Sequence, residues 1–511
     1  MIKRKYCTFI EVRALEDNAF AMGIPIIKLM ENAGKAVFEE IINIPQVKKN
    51  SILIVAGYGN NGGDGLVAAR LLVNKGYNCS LALFGNKNKF NSLSSQKNFE
   101  RLTEILTDDK IIRIKDEKVF GKFKSNINEY ELIIDALLGI GISGTPKEPY
   151  KSVIEYLNSH FRGKIISIDT PSGYNPTSNN TIFISNPEKI VCLGKNKVES
   201  KDFSESLIIV KDIGIPEEAE TYVGLGDLKW NYPKRKNDSH KRDNGVVTII
   251  GGSDEYIGAP ALAGFGAFRT GADLVFILTP KNIRHVLAAY SPDFITIPAK
   301  ENEIDPSDIS LIMEEDKTRN STFIIGPGMK DSVKTNQSVN KLLQSEMKRQ
   351  IVIDAGALSA LSESQLQLLS MHDTILTPHR GEFSKVFNKR FYNDLRKDAS
   401  LVAEIALKYK SVILVKGQID IISDGFNTKF NKSGHPGMTV GGTGDVLTGI
   451  IGTLFSVTND SYTSAYLGAY ISGAAGELAS QQFGNGLMAS DVTNNINKVI
   501  AEALSFKPKE K

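Results

Sequence analysis

Short apolar runs recur along the chain, and helical patterns fill the gaps between them. In the first 220 residues SILIVAG (51–57), ELIIDALLG (131–139), KIISIDT (164–170), KIVCLG (189–194) and SLIIVKDIG (206–214) are rich in Val, Ile and Leu without a period of two. A strand with one wet face alternates, whereas a strand covered on both faces does not, so these runs predict a parallel sheet with helices on either side. GDGLVAARLLVNKG (63–76) supplies one such helix and stops at a glycine. The texture returns after Gly245 in GVVTIIGG, ADLVFILT, TFIIGPG, QIVIDAG, TILTPH and SVILVKG, with small-residue helices at 259–272 and 461–480. This recurrence predicts α/β architecture. The 511 residues exceed one ordinary core, since domains run to ~100–200 residues. Between the halves, 215–245 holds the single Trp, two prolines and a basic stretch, and reads as a solvated linker or as an entry segment of the second unit.

Charge narrows the partners. The balance of 61 Lys+Arg against 58 Asp+Glu leaves +3, so no global field draws the chain to nucleic acid or an anionic membrane. No apolar run approaches the ~20 residues of a bilayer span. Three widely spaced cysteines, Cys7, Cys79 and Cys192, predict reduced thiols and a cytoplasmic location. Self-association is left open.

Two glycine-rich stretches carry the chemistry. GYGNNGGDG (57–65) lies between a buried run and a helix, where Gly62, Gly63 and Gly65 let backbone amides approach a phosphate at a helix N-terminus. It is not GxGxxG, because Asn60, Asn61 and Asp64 fill the turn. Asp135 and Asp169 end two further strands, with Ser172 just after the second. Ligands of open α/β sheets gather beyond the carboxyl ends of strands, so Asn61, Asp135, Asp169 and Ser172 are expected to converge. Such an all-oxygen cluster suits a hard cation or an acid/base pair. Each aspartate taken singly also fits a helix cap.

The second stretch, NKSGHPGMTVGGTGDVLTGI (431–450), opens a helix with GGTGD. Its amides form an anion hole and Asp445 can accept a hydroxyl proton, as phosphoryl transfer requires. No GxxxxGK[ST] is present. GPGM (326–329), His379 and Glu382 of TPHRGEF, and Lys416 lie at other strand ends. His379 alone also fits a histidine satisfied within a turn.

At these motifs two families come into view. LMENAG (29–34), GNNGGDGLVAARLL (59–72), DALLGIGISG (135–144) and IDTPSG (168–173) resemble the YjeF N-terminal domain, an NAD(P)HX epimerase of Rossmann-like three-layer fold. GPGM, DAGALSAL, TPHRGEF, VKG and GMTVGGTGDVLTGI resemble the ribokinase-like YjeF C-terminal domain, an ADP-dependent NAD(P)HX dehydratase. The resemblance implies an epimerase domain over 1–222 and a dehydratase domain over 223–511. Together they would interconvert R- and S-NAD(P)HX and dehydrate the S form, releasing AMP and phosphate.

The implied epimerase contacts to NADHX or NADPHX are Asn60, Asn61, Gly62, Gly63, Asp64, the segment Gly139, Ile140, Gly141, Ile142, Ser143, Gly144 and Thr145, and Asp169. Potassium is implied at Asn61, Asp135 and Ser172. Asp169 is the expected acid/base, with the Lys87/Lys89 loop and Lys197 both open as its partner. In the dehydratase, Ala259, Gly328, His379 and Asp445 are implied for substrate. Lys416, Gly417, Gln418, Ile419, Asp420 and Gly444 are implied for ADP, with Mg2+ assisting and Asp445 as base. Departures from the family pattern are Thr170 for Ile or Val, Gly356 for Asp, Arg380 for Pro and GMTVGGTGD for GMATAGTGD. The loss of a carboxylate at 356 bears on nucleotide or metal affinity, and Val440 is expected to narrow the anion loop. The alternative is a small-alcohol kinase fused to a non-catalytic dinucleotide-binding module.

Overall fold

The computed structural model describes residues 6–44, 51–85, 89–115, 117–141, 144–177, 182–317 and 320–508, and the chain divides into two compact units, Met1–Glu217 and Glu218–Phe506. The first is built on β1 (Ile52–Ala56), β2 (Cys79–Phe84), β3 (Ile111–Ile114), β4 (Leu132–Ala136), β5 (Lys164–Ile168), β6 (Lys189–Leu193) and β7 (Ile208–Lys211). Their order is β3-β2-β1-β4-β5-β6-β7, with neighbours parallel. The order reverses between β1 and β4, the crevice where doubly wound sheets bind ligands.

Burial explains the missing alternation. Ile52, Ile54, Ala56, Ile134 and Ile166 pack in one core, while Leu53, Val55, Ile133 and Ile165 pack in another. Successive side chains point to opposite faces, and here both faces are covered. β2 and β3 were not expected. Cys79 and Ser80 dilute the apolar run of β2, and β3 is a half-buried edge strand carrying Arg113. Three helices shape this site: α1 (Phe9–Ala21), α2 (Ile26–Ile42) and α3 (Asn60–Asn74).

The second unit contains β8 (Val246–Ile250), β9 (Leu274–Thr279), β10 (Ile295–Pro298), β11 (Thr322–Ile325), β12 (Gln350–Ile353), β13 (Asp373–Leu376), β14 (Val412–Val415), β15 (Asp420–Ser423) and β16 (Thr428–Asn431). They run β10-β9-β8-β11-β12-β13-β14-β15-β16, antiparallel only at the β14–β15 and β15–β16 pairs. Here too Ile249, Ile277 and Ile324 face one core, and Ile250, Leu278 and Ile325 the other. The helix Thr443–Thr458 lies close against Gly258–Thr270, since a Cβ on Gly266 would meet the Val446 carbonyl oxygen at 2.5 Å.

Segment 215–245 is not a free linker. Leu225–Asn231 is helical with Leu228 fully buried, and Asp227 pairs with Lys429 at 2.7 Å. The Tyr232 hydroxyl donates to the Thr270 carbonyl at 2.7 Å. Seven residues, fewer than two full periods of an amphipathic pattern, are too few to show a helical period, so this helix escaped the sequence pattern.

Candidate active sites

In the first unit, β1 passes through Gly57 into α3, whose N-cap is Gly59. Asn60 and Asn61 therefore open a helix. The glycines after them are packing residues: a Cβ on Gly63 would sit 2.6 Å from Ser95 Oγ, and one on Gly65 would sit 2.6 Å from Ala136 Cβ. Gly65 lets α3 lie directly on the sheet and Gly63 lets it lie close to Met30 of α2 and to Ser95, which fixes where Asn60, Asn61 and Asp64 sit. Both amide atoms of Asn61 are buried without a partner, an arrangement that normally marks a ligand or ion. The Gly139 backbone covers this side chain, with a Cβ there only 3.4 Å from Asn61 Cβ. Arg13 and Phe9 of α1 lie 3.4 Å from the equivalent point on Gly141. Ile140 is buried, Gly144 and Thr145 are exposed, and Ile142 and Ser143 lie outside the described residues.

Asp135 ends β4 in full burial. One carboxylate oxygen accepts from the Ser172 hydroxyl, and the other accepts from Ser172 N at 2.8 Å and Ser167 Oγ at 2.9 Å. Burial raises its pKa, against the hydrogen bonds of Ser172, Ser167 and Leu137 that lower it. Asp135 and Ser172 are thus brought together as expected at adjacent strand ends.

Asp169 follows β5 with φ of +68°, a left-handed conformation that a non-glycine residue holds at a cost of about 1–3 kcal/mol. Its carboxylate takes the Lys197 ammonium and accepts from Leu193 N at 3.3 Å. Lys197, 3% exposed, also donates to the Leu193 carbonyl at 2.7 Å. Burial is the largest single influence and lowers its pKa, but the charge and hydrogen bond of Asp169, with Glu16 and Cys192 adding, together raise it. Asn60, Asp64, Asp169, Lys197 and Glu16 line one cavity with otherwise largely apolar walls, including Leu15, Phe20 and Met30. Glu16 and Arg13 come from α1, a helix that the sequence patterns did not single out. Lys89 is exposed, and Lys87 lies outside the described residues.

The second site gathers at the carboxyl ends of β12, β13 and β14. Lys416, just past β14, donates to Asp354 Oδ1 at 2.8 Å. A Cβ on Gly444 would lie 3.5 Å from Lys416 Nζ and 3.9 Å from Asp354 Oδ2, so the first turn of Thr443–Thr458 sits against this pair. Asp445 is the acid of that turn. Burial, then the charge of Asp354, pushes it up to about 7, with Lys416 opposing. Asp420 is pushed up to about 6 by burial and accepts from Gly417 N and Asn431 Nδ2, both at 2.9 Å. Gln418 and Ile419 complete the β14–β15 turn.

His379 is the N-cap of Arg380–Phe387, its Nδ1 accepting from Gly381 N at 3.0 Å and Glu382 N at 3.1 Å. The ring caps the helix through Nδ1, and its Nε2, 3.6 Å from Glu382 Oε1, is the nitrogen that a ligand can reach. Gly328 adopts φ of +69°, and a Cβ there would meet Ala259 Cβ at 3.0 Å, so these two share one spot. Arg380 pairs with buried Asp398 at 3.0 Å and covers the Phe391 ring. Val440 is 37% exposed. Asp354, 2% exposed, is the functional residue that the sequence reading passed over, although QIVIDAG marks it as a strand-end acid like Asp135 and Asp169.

The model of the NAD(P)H-hydrate dehydratase family matches residues 247–498, and that of the YjeF-related protein N-terminus matches 27–198. The bifunctional NAD(P)H-hydrate repair enzyme Nnr of Methanothermobacter thermautotrophicus is 36% identical over 96% of this chain and 94% of its own. The chain belongs to the bifunctional NAD(P)H-hydrate repair enzymes. Another member of the repair enzymes, from Archaeoglobus fulgidus, is 36% identical over 97% of this chain and 98% of its own. A solved ADP/ATP-dependent NAD(P)H-hydrate dehydratase from Bacillus subtilis, co-crystallised with ATP/Mg2+, covers 55% of this chain and 98% of its own at 24% identity and a TM-score of 0.46. Membership favours the repair reading over a small-alcohol kinase with a silent partner.

Proposed function

We propose that this repair enzyme epimerises hydrated NADH and NADPH in its first unit and dehydrates the S epimer at the expense of ADP in its second. One observation carries the dehydratase half. Asp445, with its pKa near neutrality, stands in the first turn of a helix against the Lys416–Asp354 pair. A base poised near working pH beside amide donors is what phosphoryl transfer to a hydroxyl needs. Asp445 takes the proton of the ring hydroxyl, and the freed oxygen attacks the terminal phosphorus of ADP while the bond to AMP breaks. The phosphate then leaves as a ring proton is lost, and NAD(P)H is restored. Lys416 to Asp420 and Gly444 hold the nucleotide; Gly328, His379 and Ala259 hold the hydrate.

Among the described residues no three His, Cys, Asp or Glu side chains cluster as a metal cage, which agrees with Mg2+ arriving chiefly on the nucleotide phosphates. Asp354 would help complete its shell, and the ion would supply charge neutralisation at the transferring phosphoryl. In the first unit the unpartnered Asn61 amide, Asp135 and Ser172 offer the all-oxygen donors that K+ takes. Bound there, K+ would supply positive charge beside the substrate's phosphates. Asp169 and the residues at 60–64 and 139–145 position the hydrate.

No helix among the described residues is long and apolar enough to cross a membrane. The three cysteines form no disulfide with one another, and burial pushes Cys79 and Cys192 up to about 12. Inert reduced thiols favour a cytoplasmic setting.

The deciding assay supplies the intact chain with mixed R- and S-NADPHX and ADP. Full return of the near-ultraviolet absorbance of NADPH is expected. Recovery that halts at the S fraction, against a control for spontaneous epimerisation, removes the epimerase half.

A further inference from the structure

Exchanging the configuration of the hydrate needs two proton transfers at oxygen, one as hydroxyl leaves and one as water returns on the other face. Asp169 provides one group. Of the lysines expected as its partner, Lys197 is committed to the Asp169 carboxylate and the Leu193 carbonyl, and Lys89 does not line the cavity.

The charged groups that do line it are Glu16 from α1, Asp64 from α3, Asp169 after β5, and Lys195 and Lys197 after β6. Glu16 is tied to Arg13 at 3.0 Å. Asp64 and Asp169 therefore form a carboxylate pair with unequal surroundings: one carries a buried ammonium and the other does not. They reach the cavity from different strand ends, β1 and β5, with β4 between.

We infer that Asp64 is the second proton-transfer group of this site and the partner of Asp169. The assignment rests on the epimerase reading above. Burial, then the charge of Asp169, holds the Asp64 carboxyl well above the usual carboxylate range, with Lys197 opposing and Glu16 adding to the rise. Asp169 instead sits in an ion pair with Lys197, so the two carboxyls have the unlike surroundings that an acid and a base need.

In the forward direction Asp64 gives its proton to the ring hydroxyl. The carbon–oxygen bond breaks, its electron pair leaves with water, and the ring nitrogen's lone pair forms a carbon–nitrogen double bond. Water then adds to the opposite face, the π pair returns to nitrogen, and the Asp169 carboxylate takes the surplus proton. Each forward turnover leaves Asp64 ionised and Asp169 protonated; Asp169 gives its proton to solvent water and Asp64 takes one from it, which restores both groups with no net oxidant, reductant or proton. Lys197 is a positioning residue that holds the Asp169 carboxylate in place.

The test uses the full chain with R-NADHX and ADP, where NADH appears only after epimerisation, and with S-NADHX and ADP as the control for the second unit. Asp64→Asn is expected to lower kcat on the R epimer by about 100-fold or more, with KM within about threefold and the S rate unchanged. Asp64→Glu, which restores a carboxyl, is expected to regain at least about tenfold over Asp64→Asn. An Asp64→Asn chain that keeps pace with wild type, or a loss confined to Lys195→Met, overturns the assignment. A wild-type chain that consumes R-NADHX no faster than buffer removes the epimerase reading, and this assignment with it.

Discussion

Lys416 reaches past the intervening β13 to donate to Asp354 at 2.8 Å. The bond places a cation and an anion beside Gly444 at the head of the Thr443–Thr458 helix. Their effects on Asp445 oppose one another: Asp354 raises its pKa and Lys416 lowers it. Asp354→Asn removes the raising charge. The base works when ionised, so dehydratase kcat/KM rises with pH through the pKa of Asp445, about 7 in wild type. In Asp354→Asn that limb is expected to move to lower pH by about one unit, read from the pH profile on S-NADHX. An unmoved limb would separate Asp354 from Asp445.

Asp445→Asn should remove about 10²–10⁴ of dehydratase rate while leaving R-to-S conversion intact. The same change is expected to stabilise the fold. An acid whose folded pKa is raised loses stability as pH climbs from the unfolded value, 3.8, to the folded one, about 7. At pH 8 the neutral amide should therefore gain on the order of 1 kcal/mol or more, measured by urea unfolding at pH 4 and pH 8, with the gain clearly larger at the higher pH.

Both glycine stretches were legible as sites because each combines a strand end, a helix start and residues too polar for a turn alone. What the glycines do was not legible. Gly63 and Gly65 read as phosphate approaches, yet their Cβ positions are filled by Ser95, Met30 and Ala136. A linear motif does not say which neighbour crosses it. The sheets were legible where both faces are covered, as in β1 and β4, and not at edges such as β3 and β10, whose half-exposed residues break the apolar run. Lys197 could be named from sequence but not placed, since its grip on Asp169 depends on a turn after β6.

Thr170 stands where the resemblance to the YjeF N-terminal domain leads one to expect Ile or Val. It is fully buried, and its hydroxyl has no partner. A buried unsatisfied hydroxyl is a liability that an apolar group of the same shape removes. Thr170→Val is expected to raise unfolding stability by about 1 kcal/mol without altering epimerisation of R-NADHX. Destabilisation in thermal unfolding would mean that the hydroxyl has a bonded water.

Gly356 replaces the usual Asp and raises the question of whether restoring the carboxylate would tighten nucleotide binding. The packing answers no. A Cβ at Gly356 would run into the Met329 carbonyl oxygen, and Met329 C lies 2.7 Å from the same point. Backbone cannot swing aside as a long side chain can, and preceding Ala355 is already held at φ of +46°. Overpacking of this kind costs about 1–3 kcal/mol. Gly356→Asp is therefore expected to unfold at lower urea by that amount and to show no lower KM for ADP. A stable Gly356→Asp chain with tighter ADP binding would show that the Met329 backbone yields, and that the missing carboxylate does limit nucleotide affinity.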